Sequence, residues 1–275
     1  MAPSSSRFDR DSVTRAILSK VPAVTLTFWI IKILATTLGE TGGDTVSMTM
    51  NLGYLIGTAI FLTALIVLAG LQIAVNKFHP FLYWATIIAS TTAGTTMADF
   101  ADRSLGIGYV GGSSVLFACV LGCLGLWYWI EGTVSVETVN RPKVEAFYWA
   151  TITFSQTLGT ALGDWIAAAP DESPPGFGLG YELGALVFGG ALLIVAALYF
   201  WSAISRVLLF WAAFILTRPL GATVGDLLDK PVSHGGLALS RPLASAILAA
   251  VIIVCILVFP QRPGGHPAAV ARAES

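Results

Sequence analysis

The sequence predicts an all-α polytopic membrane protein: eight transmembrane helices arranged as four parallel two-helix repeats. Three observations lead there. The 275-residue chain is 55% hydrophobic and only 11% charged, where a soluble domain carries roughly 25% charged residues. Its apolar residues gather into eight runs, each close to the about 20 residues a helix needs to cross hydrocarbon roughly 30 Å thick. One motif occurs four times: an aromatic–Trp pair, a Gly ten positions after the Trp, and an Asp fifteen after it. The copies are Phe28-Trp29 with Gly39 and Asp44, Tyr83-Trp84 with Gly94 and Asp99, Tyr148-Trp149 with Gly159 and Asp164, and Phe210-Trp211 with Gly221 and Asp226. A fixed pattern repeated at such intervals marks a tandem array of one supersecondary unit.

Residues 1–20 are polar and basic, without an apolar core of their own, so they read as a cytoplasmic tail rather than a cleaved signal. Repeat 1 occupies 21–76, with spans at 21–43 and 52–74. Repeat 2 is 77–140 (spans 81–98 and 109–130) and repeat 3 is 141–205 (spans 144–165 and 180–204). Repeat 4 is 206–260 (spans 207–225 and 243–259), and 261–275 is a second cytoplasmic tail. Second helices have their own signature in Gly53-Tyr54-x2-Gly57, Gly108-Tyr109-x2-Gly112 and Gly180-Tyr181-x2-Gly184, replaced in the fourth copy by Ser240-Arg241-x2-Ala244. The motif helices add Gly39-x3-Gly43, Gly94-x3-Ala98, Gly159-x3-Gly163 and Gly221-x3-Gly225. Lipid offers helices no hydrophobic drive to associate, so such small-residue steps read first as close-packing surfaces.

Basic residues orient the chain. Arg7, Arg10, Arg15, Lys20, Lys77, Arg141, Lys143, Arg206, Arg262 and Arg272 fall on the side of the termini, and only Arg103, Lys230 and Arg241 on the other. This bias places both termini in the cytoplasm, as for a multi-pass protein of a bacterial inner (plasma) membrane. All four motif helices then run outward. Glu40, Asp44, Asp99, Asp102, Asp164, Asp171, Glu172, Glu182, Asp226 and Asp229 gather at the outer side, a mouth expected to concentrate cations.

On a helix, Trp29, Lys32, Thr36, Gly39, Glu40, Gly43 and Asp44 share one broad face, with Asp44 about 22 Å along the axis from Trp29. The four Trp are expected as anchors at the inner membrane interface. Asp at a helix C-terminus opposes the macrodipole, and ionisable groups inside spans mark function by default. Lys32 and Arg218, the only bases within the apolar runs, are expected to pair with Glu40 or with the motif Asp residues. Glu40 and Asp44, one turn apart, can reach one hard cation together, and Thr36 and its neighbours can add hydroxyl oxygens. The candidate ion-binding set is therefore Glu40, Asp44, Asp99, Asp164, Asp226, Thr36, Lys32 and Arg218, with Glu40, Asp44 and Asp99 as metal ligands. The bland alternative is that the Asp residues cap the next segment and hold the repeats together. Cys119, Cys123 and Cys255 lie in apolar runs without zinc-type partners. No enzymatic constellation is present, which points away from an enzyme.

With these residues in hand, the chain resembles a family of bacterial membrane proteins with four tandem two-helix repeats and a recurrent tryptophan, described as a repeat of unknown function. The likeness covers about 21–259 and is strongest at Val21-Pro22 and Thr27-Phe28-Trp29-Ile30-Ile31-Lys32. It implies the architecture and no activity. The fourth unit departs from the pattern, with Arg218-Pro219 where other copies have a polar residue and Thr, which implies specialised units. Glu40-Thr41-Gly42-Gly43-Asp44-Thr45 is more loosely similar to the Glu-x-Gly-Asp-basic-Ser/Thr signature of cation–proton exchangers for calcium and manganese, with one extra residue and no base after the Asp.

The expected function is secondary transport of a cation, a divalent metal such as manganese exchanged against protons. Oxygen ligands favour such hard ions. A non-transporting membrane scaffold and a pseudo-tetrameric cation channel are the alternatives. Expected partners are the lipid bilayer and a small cation, with no nucleic acid and no resident cofactor. Gly- and Ala-rich surfaces allow a homodimer.

Overall fold

The computed structural model describes residues 19–265. Most of both predicted tails, with Arg7, Arg10, Arg15, His266 and Arg272, lies outside the described residues. Eight long helices follow in order: α1 (Leu26–Asp44), α2 (Gly53–Ala74), α3 (Pro80–Asp99), α4 (Gly108–Glu131), α5 (Pro142–Ala167), α6 (Gly180–Trp201), α7 (Arg206–Asp229) and α8 (Arg241–Val258). Odd-numbered helices carry the motif. Among the described residues there is no strand, only an isolated antiparallel bridge between Pro22 and Pro263.

Local chemistry explains the helix ends. Thr25 caps α1, its hydroxyl accepting from the Phe28 amide, and a proline opens each of α3, α5 and α8 at a position where a missing N–H costs nothing. After Asp44 and Asp99 the helix loosens into one π-helical turn, Thr45–Thr49 and Phe100–Ser104. The chain then reverses through Gly53 and Gly108, at φ of +75° and +74°, a region disfavoured for side chains with a Cβ.

The motif helices form a closed ring, α1 on α3, α3 on α5, α5 on α7 and α7 on α1. Each even helix packs mainly on the motif helix of the following repeat: α2 on α3, α4 on α5, α6 on α7, and α8 back on α1. The packing unit is therefore offset by one helix from the sequence repeat. Aromatic ends of the motif helices meet at one end of the bundle and their Asp ends at the other, so the four run parallel.

The glycine ten positions after each Trp makes the ring possible. A Cβ on Gly39 would fall on Thr91, one on Gly94 on the Gln156–Thr157 backbone, one on Gly159 on Arg218, and one on Gly221 on Thr36. In every case the contact is the residue seven after the Trp of the next motif helix. These glycines are crossing points, as the packing reading expects.

The burial pattern is that of a polar-cored bundle in an apolar coat. In α2 only Gly57, Leu65 and Gln72 are buried, and in α6 only Gly184 and Phe188. Among the described residues, α2, α4, α6, α7 and α8 are long and apolar enough to cross a membrane. The inward faces of α1, α3 and α5 carry Thr, Ser, Gln and charged residues, and these helices are not in that set.

Three of the four motif Trp residues depart from the expected interfacial anchors, and Trp29 is half-buried. Trp84, Trp149 and Trp211 are buried, as are Phe28, Tyr83, Tyr148 and Phe210. Their rings pack edge-on or tilted across neighbouring motif helices, and the Tyr83 and Tyr148 hydroxyls are 2.6 Å apart. Ring–ring contacts inside the bundle replace contact with headgroups, and an aromatic layer closes this end. Beneath it, residues 19–23 pair with 262–264 and the 136–139 turn. Lys20 Nζ is held there 2.6 Å from Glu145 Oε1 and by the carbonyls of Gln72 and Ile73.

Candidate functional site: the carboxylate layer

Residues three, seven, eleven and fifteen positions after each Trp point into the ring, because steps of three and four return to one helix face. They stack as layers and are all buried. The innermost layer is Lys32, Ile87, Ile152 and Phe214. Next come Thr36, Thr91, Gln156 and Arg218, then Glu40, Thr95, Thr160 and Ala222. The outermost is the four motif carboxylates, Asp44, Asp99, Asp164 and Asp226.

Arg218 is fully buried at the centre. Its Nη2 is 2.8 Å from Glu40 Oε2, 2.6 Å from Thr95 Oγ1 and 2.5 Å from Thr160 Oγ1. One guanidinium nitrogen thus ties together all four motif helices. The pairing expected for Arg218 with Glu40 is present. Lys32 departs from expectation: its Nζ donates to Gln156 Oε1 at 3.4 Å and lies 4.2 Å from the Phe214 ring centroid. It is two layers inward of Glu40, which Arg218 occupies instead. The Thr36 hydroxyl is engaged by the carbonyls of Ile33 (2.8 Å) and Thr217 (3.1 Å). It joins α1 to α7 one layer short of the carboxylates.

The outer layer is held by two bases absent from the expected set. Lys230 Nζ is 2.5 Å from Asp44 Oδ2 and 3.0 Å from Asp226 Oδ1. Arg103 is 3.1 Å from Asp99 Oδ1 through Nε and 3.0 Å from Asp164 Oδ2 through Nη2. Each base stands four residues after a motif Asp and bridges to the Asp of an adjacent motif helix, so four-fold sequence becomes two-fold pairing. A signal for this was present: repeats 2 and 4 share Asp99-x2-Asp102-Arg103 and Asp226-x2-Asp229-Lys230, which repeats 1 and 3 lack. Burial would lower the Lys230 pKa, but Asp226, Asp44 and Asp229 together outweigh it and hold the ammonium well above its usual range.

The third residue of that signature behaves differently in its two copies. Asp229 reaches Arg241 at 3.4 Å. Asp102 is buried against Gly112, and neither of its oxygens has a hydrogen-bond partner among the described residues. Burial, reinforced by Asp164 and opposed by Arg103, pushes its carboxyl up to about 7.

Among the described residues, two groups of three carboxylates have oxygens mutually within 4.8 Å: Glu40 with Asp164 and Asp226, and Asp44 with Asp226 and Asp229. The expected metal trio of Glu40, Asp44 and Asp99 is therefore not brought together. Glu40 and Asp44 fall in different groups, and Asp99 is in neither, drawn to Arg103 on its own helical turn. A cavity of about 220 Å³ opens above the layer, lined by Asp164, Asp226, Arg103, Lys230, Tyr109 and Tyr181 among others. It gives access from the Asp end of the bundle to two carboxylates of the first group.

A family model described as Repeat of Unknown Function (DUF347) matches the chain over residues 27–78, 82–133, 147–205 and 209–262. Each match begins within two residues of the motif's aromatic–Trp pair. No curated protein and no solved structure matches the chain.

Proposed function

We propose, for a chain that belongs to the Repeat of Unknown Function (DUF347) family, a role read from its carboxylate layer: secondary transport of a small hard cation, a divalent metal such as Mn²⁺, in exchange for protons. One observation carries this reading. Carboxylates from three repeats, Glu40, Asp164 and Asp226, converge within 4.8 Å below a cavity lined by two of them. Such an oxygen set suits Mg²⁺, Ca²⁺ or Mn²⁺ rather than soft ions. Buried carboxylates pass between proton and metal readily because burial disfavours their bare charge.

All eight helices cross a bacterial inner membrane in this reading, with both termini in the cytoplasm and the carboxylate layer toward the outside. The polar faces of α1, α3 and α5 are covered by the other helices of the ring, which makes their crossing tolerable. The open outer cavity and the closed aromatic layer correspond to an outward-facing state. Arg218 acts as the internal counter-ion of Glu40 while no cation is bound.

Binding to the purified protein tests this first. A ligand that prefers the folded state stabilises it by mass action, by about 2.7 kcal/mol at a hundredfold excess over Kd. Thermal unfolding is measured against Mn²⁺, Mg²⁺, Ca²⁺, Zn²⁺ and monovalent ions. The expected result is a rise in midpoint for a hard divalent ion, lost in Asp226→Asn and in acid. No rise with any ion moves the function to the scaffold, in which Arg103 and Lys230 serve only to tie neighbouring repeats.

A further inference from the structure

The outer layer contains more than ligands. Asp44, Asp99, Asp164 and Asp226 bring four negative charges, and Lys230 and Arg103 return two positive ones by bridging one pair each. This count is of the four motif carboxylates and the two bases that bridge them. Around the layer, Glu40 is matched by Arg218, Asp229 shares Arg241 with Asp44, Asp102 lies against Gly112, and Glu172 stands on the cavity wall. Asp44 is fully buried, yet its Oδ1 has no hydrogen-bond partner among the described residues, and its carboxylate groups with those of Asp226 and Asp229. The layer thus has a deficit of two positive charges, an unpartnered buried oxygen on Asp44, and a cavity that reaches two of its other carboxylates, Asp164 and Asp226.

We propose that Arg103 and Lys230 are the specificity-determining residues of the site: as resident counter-ions they set its uncompensated charge at minus two and so select a doubly charged cation. This rests on the cation reading above. Uncompensated charge buried in a low dielectric is expensive, so an ion that brings the layer to neutrality is favoured over one that under- or overshoots. The tyrosines suit the same site, because Tyr109 and Tyr181 line the cavity and present polar tips on apolar bodies beside the ion's path. Neither base needs to touch the ion. Each acts through the carboxylates it holds.

The test changes the layer's charge one unit at a time and reads valence preference. Purified full-length protein is titrated with MnCl₂ and, separately, with TbCl₃, whose emission is sensitised by nearby tyrosine, and the ratio of the two affinities is recorded. Lys230→Met makes the layer one unit more negative and is expected to shift the ratio toward Tb³⁺ by at least about tenfold, because the added charge attracts three charges on Tb³⁺ against two on Mn²⁺. Asp226→Asn shifts it the other way. Combining Lys230→Met with Asp226→Asn restores the count and returns the ratio to near the unaltered value. Lys230→Arg leaves the ratio in place. If Lys230→Met does not fold, Arg103→Gln asks the same question through the other pair. A ratio indifferent to these substitutions overturns the charge rule while leaving cation binding standing. Failure of the unaltered protein to bind either ion removes the cation reading and the charge rule together.

Discussion

Arg218 is fully buried and, among the described residues, makes its only carboxylate contact with Glu40. Removing one partner of such a pair strands the other charge and costs about 3–5 kcal/mol, whereas removing both can be close to neutral. Glu40→Gln and Arg218→Met should each destabilise the purified protein by that order, with the double variant costing clearly less than the sum. Unfolding of the four proteins checks this, and strict additivity would mean that the two side chains do not form the pair. Asp102 gives a pH dependence of definite sign. Its carboxyl is raised from 3.8 to about 7, so the folded state holds a proton that the unfolded chain gives up. The associated stability is complete below about pH 4 and disappears as pH rises through about 7. Asp102→Asn keeps the neutral form at all pH. It should therefore gain midpoint over the unaltered protein at pH 8 and lose most of that gain at pH 5. Parallel midpoint curves for the two proteins would contradict the assignment.

At the scale of elements, the ring rests on four close crossings, and they differ from an open glycine such as Gly122 in a testable way. A Cβ on Gly94 would stand 2.9 Å from the backbone of Gln156 and Thr157, which has no flexible end to move aside. Overpacking of this kind costs about 1–3 kcal/mol or more. Gly122, inside α4, has nothing within 4 Å of the same position, and there alanine gains the roughly 0.5–1 kcal/mol that glycine sacrifices in a helix. Gly94→Ala should lower the thermal midpoint and Gly122→Ala leave it level or raise it; a reversed order would deny the crossing. The existence of these glycines, their ten-residue spacing from Trp and their packing role were legible in the sequence. Their partners were not, because periodicity along one helix says which residues share a face and not which helix that face meets. The same gap hid Arg103 and Lys230: their i+4 relation to Asp99 and Asp226 is visible in one dimension. Their reach to Asp164 and Asp44 depends on the order of helices round the ring. It also misplaced Trp84, Trp149 and Trp211, since an aromatic ring near a helix start suits an interface and a bundle interior equally.

The whole molecule is a ring of four motif helices wrapped by four others, each borrowed from the preceding repeat. This offset interlocks the repeats, and α8 returns to α1 to close the circle. The sequence pattern disclosed the four-fold count and the parallel sense, while closure and offset emerge only from packing. Its polar axis is asymmetric along the bundle. Aromatic rings and residues 19–23 pack across one end, and the carboxylate layer lies beneath an opening at the other. Such an axis suits alternating access, and flux tests that claim most directly. Protein is reconstituted into liposomes, and Mn²⁺ uptake is followed with a pH gradient imposed in each direction. The account predicts uptake that follows the opposing proton gradient and falls at least about tenfold in Asp226→Asn, which removes one of the three converging carboxylates. Mn²⁺ entry that ignores the proton gradient, or that persists unchanged in Asp226→Asn, would contradict it.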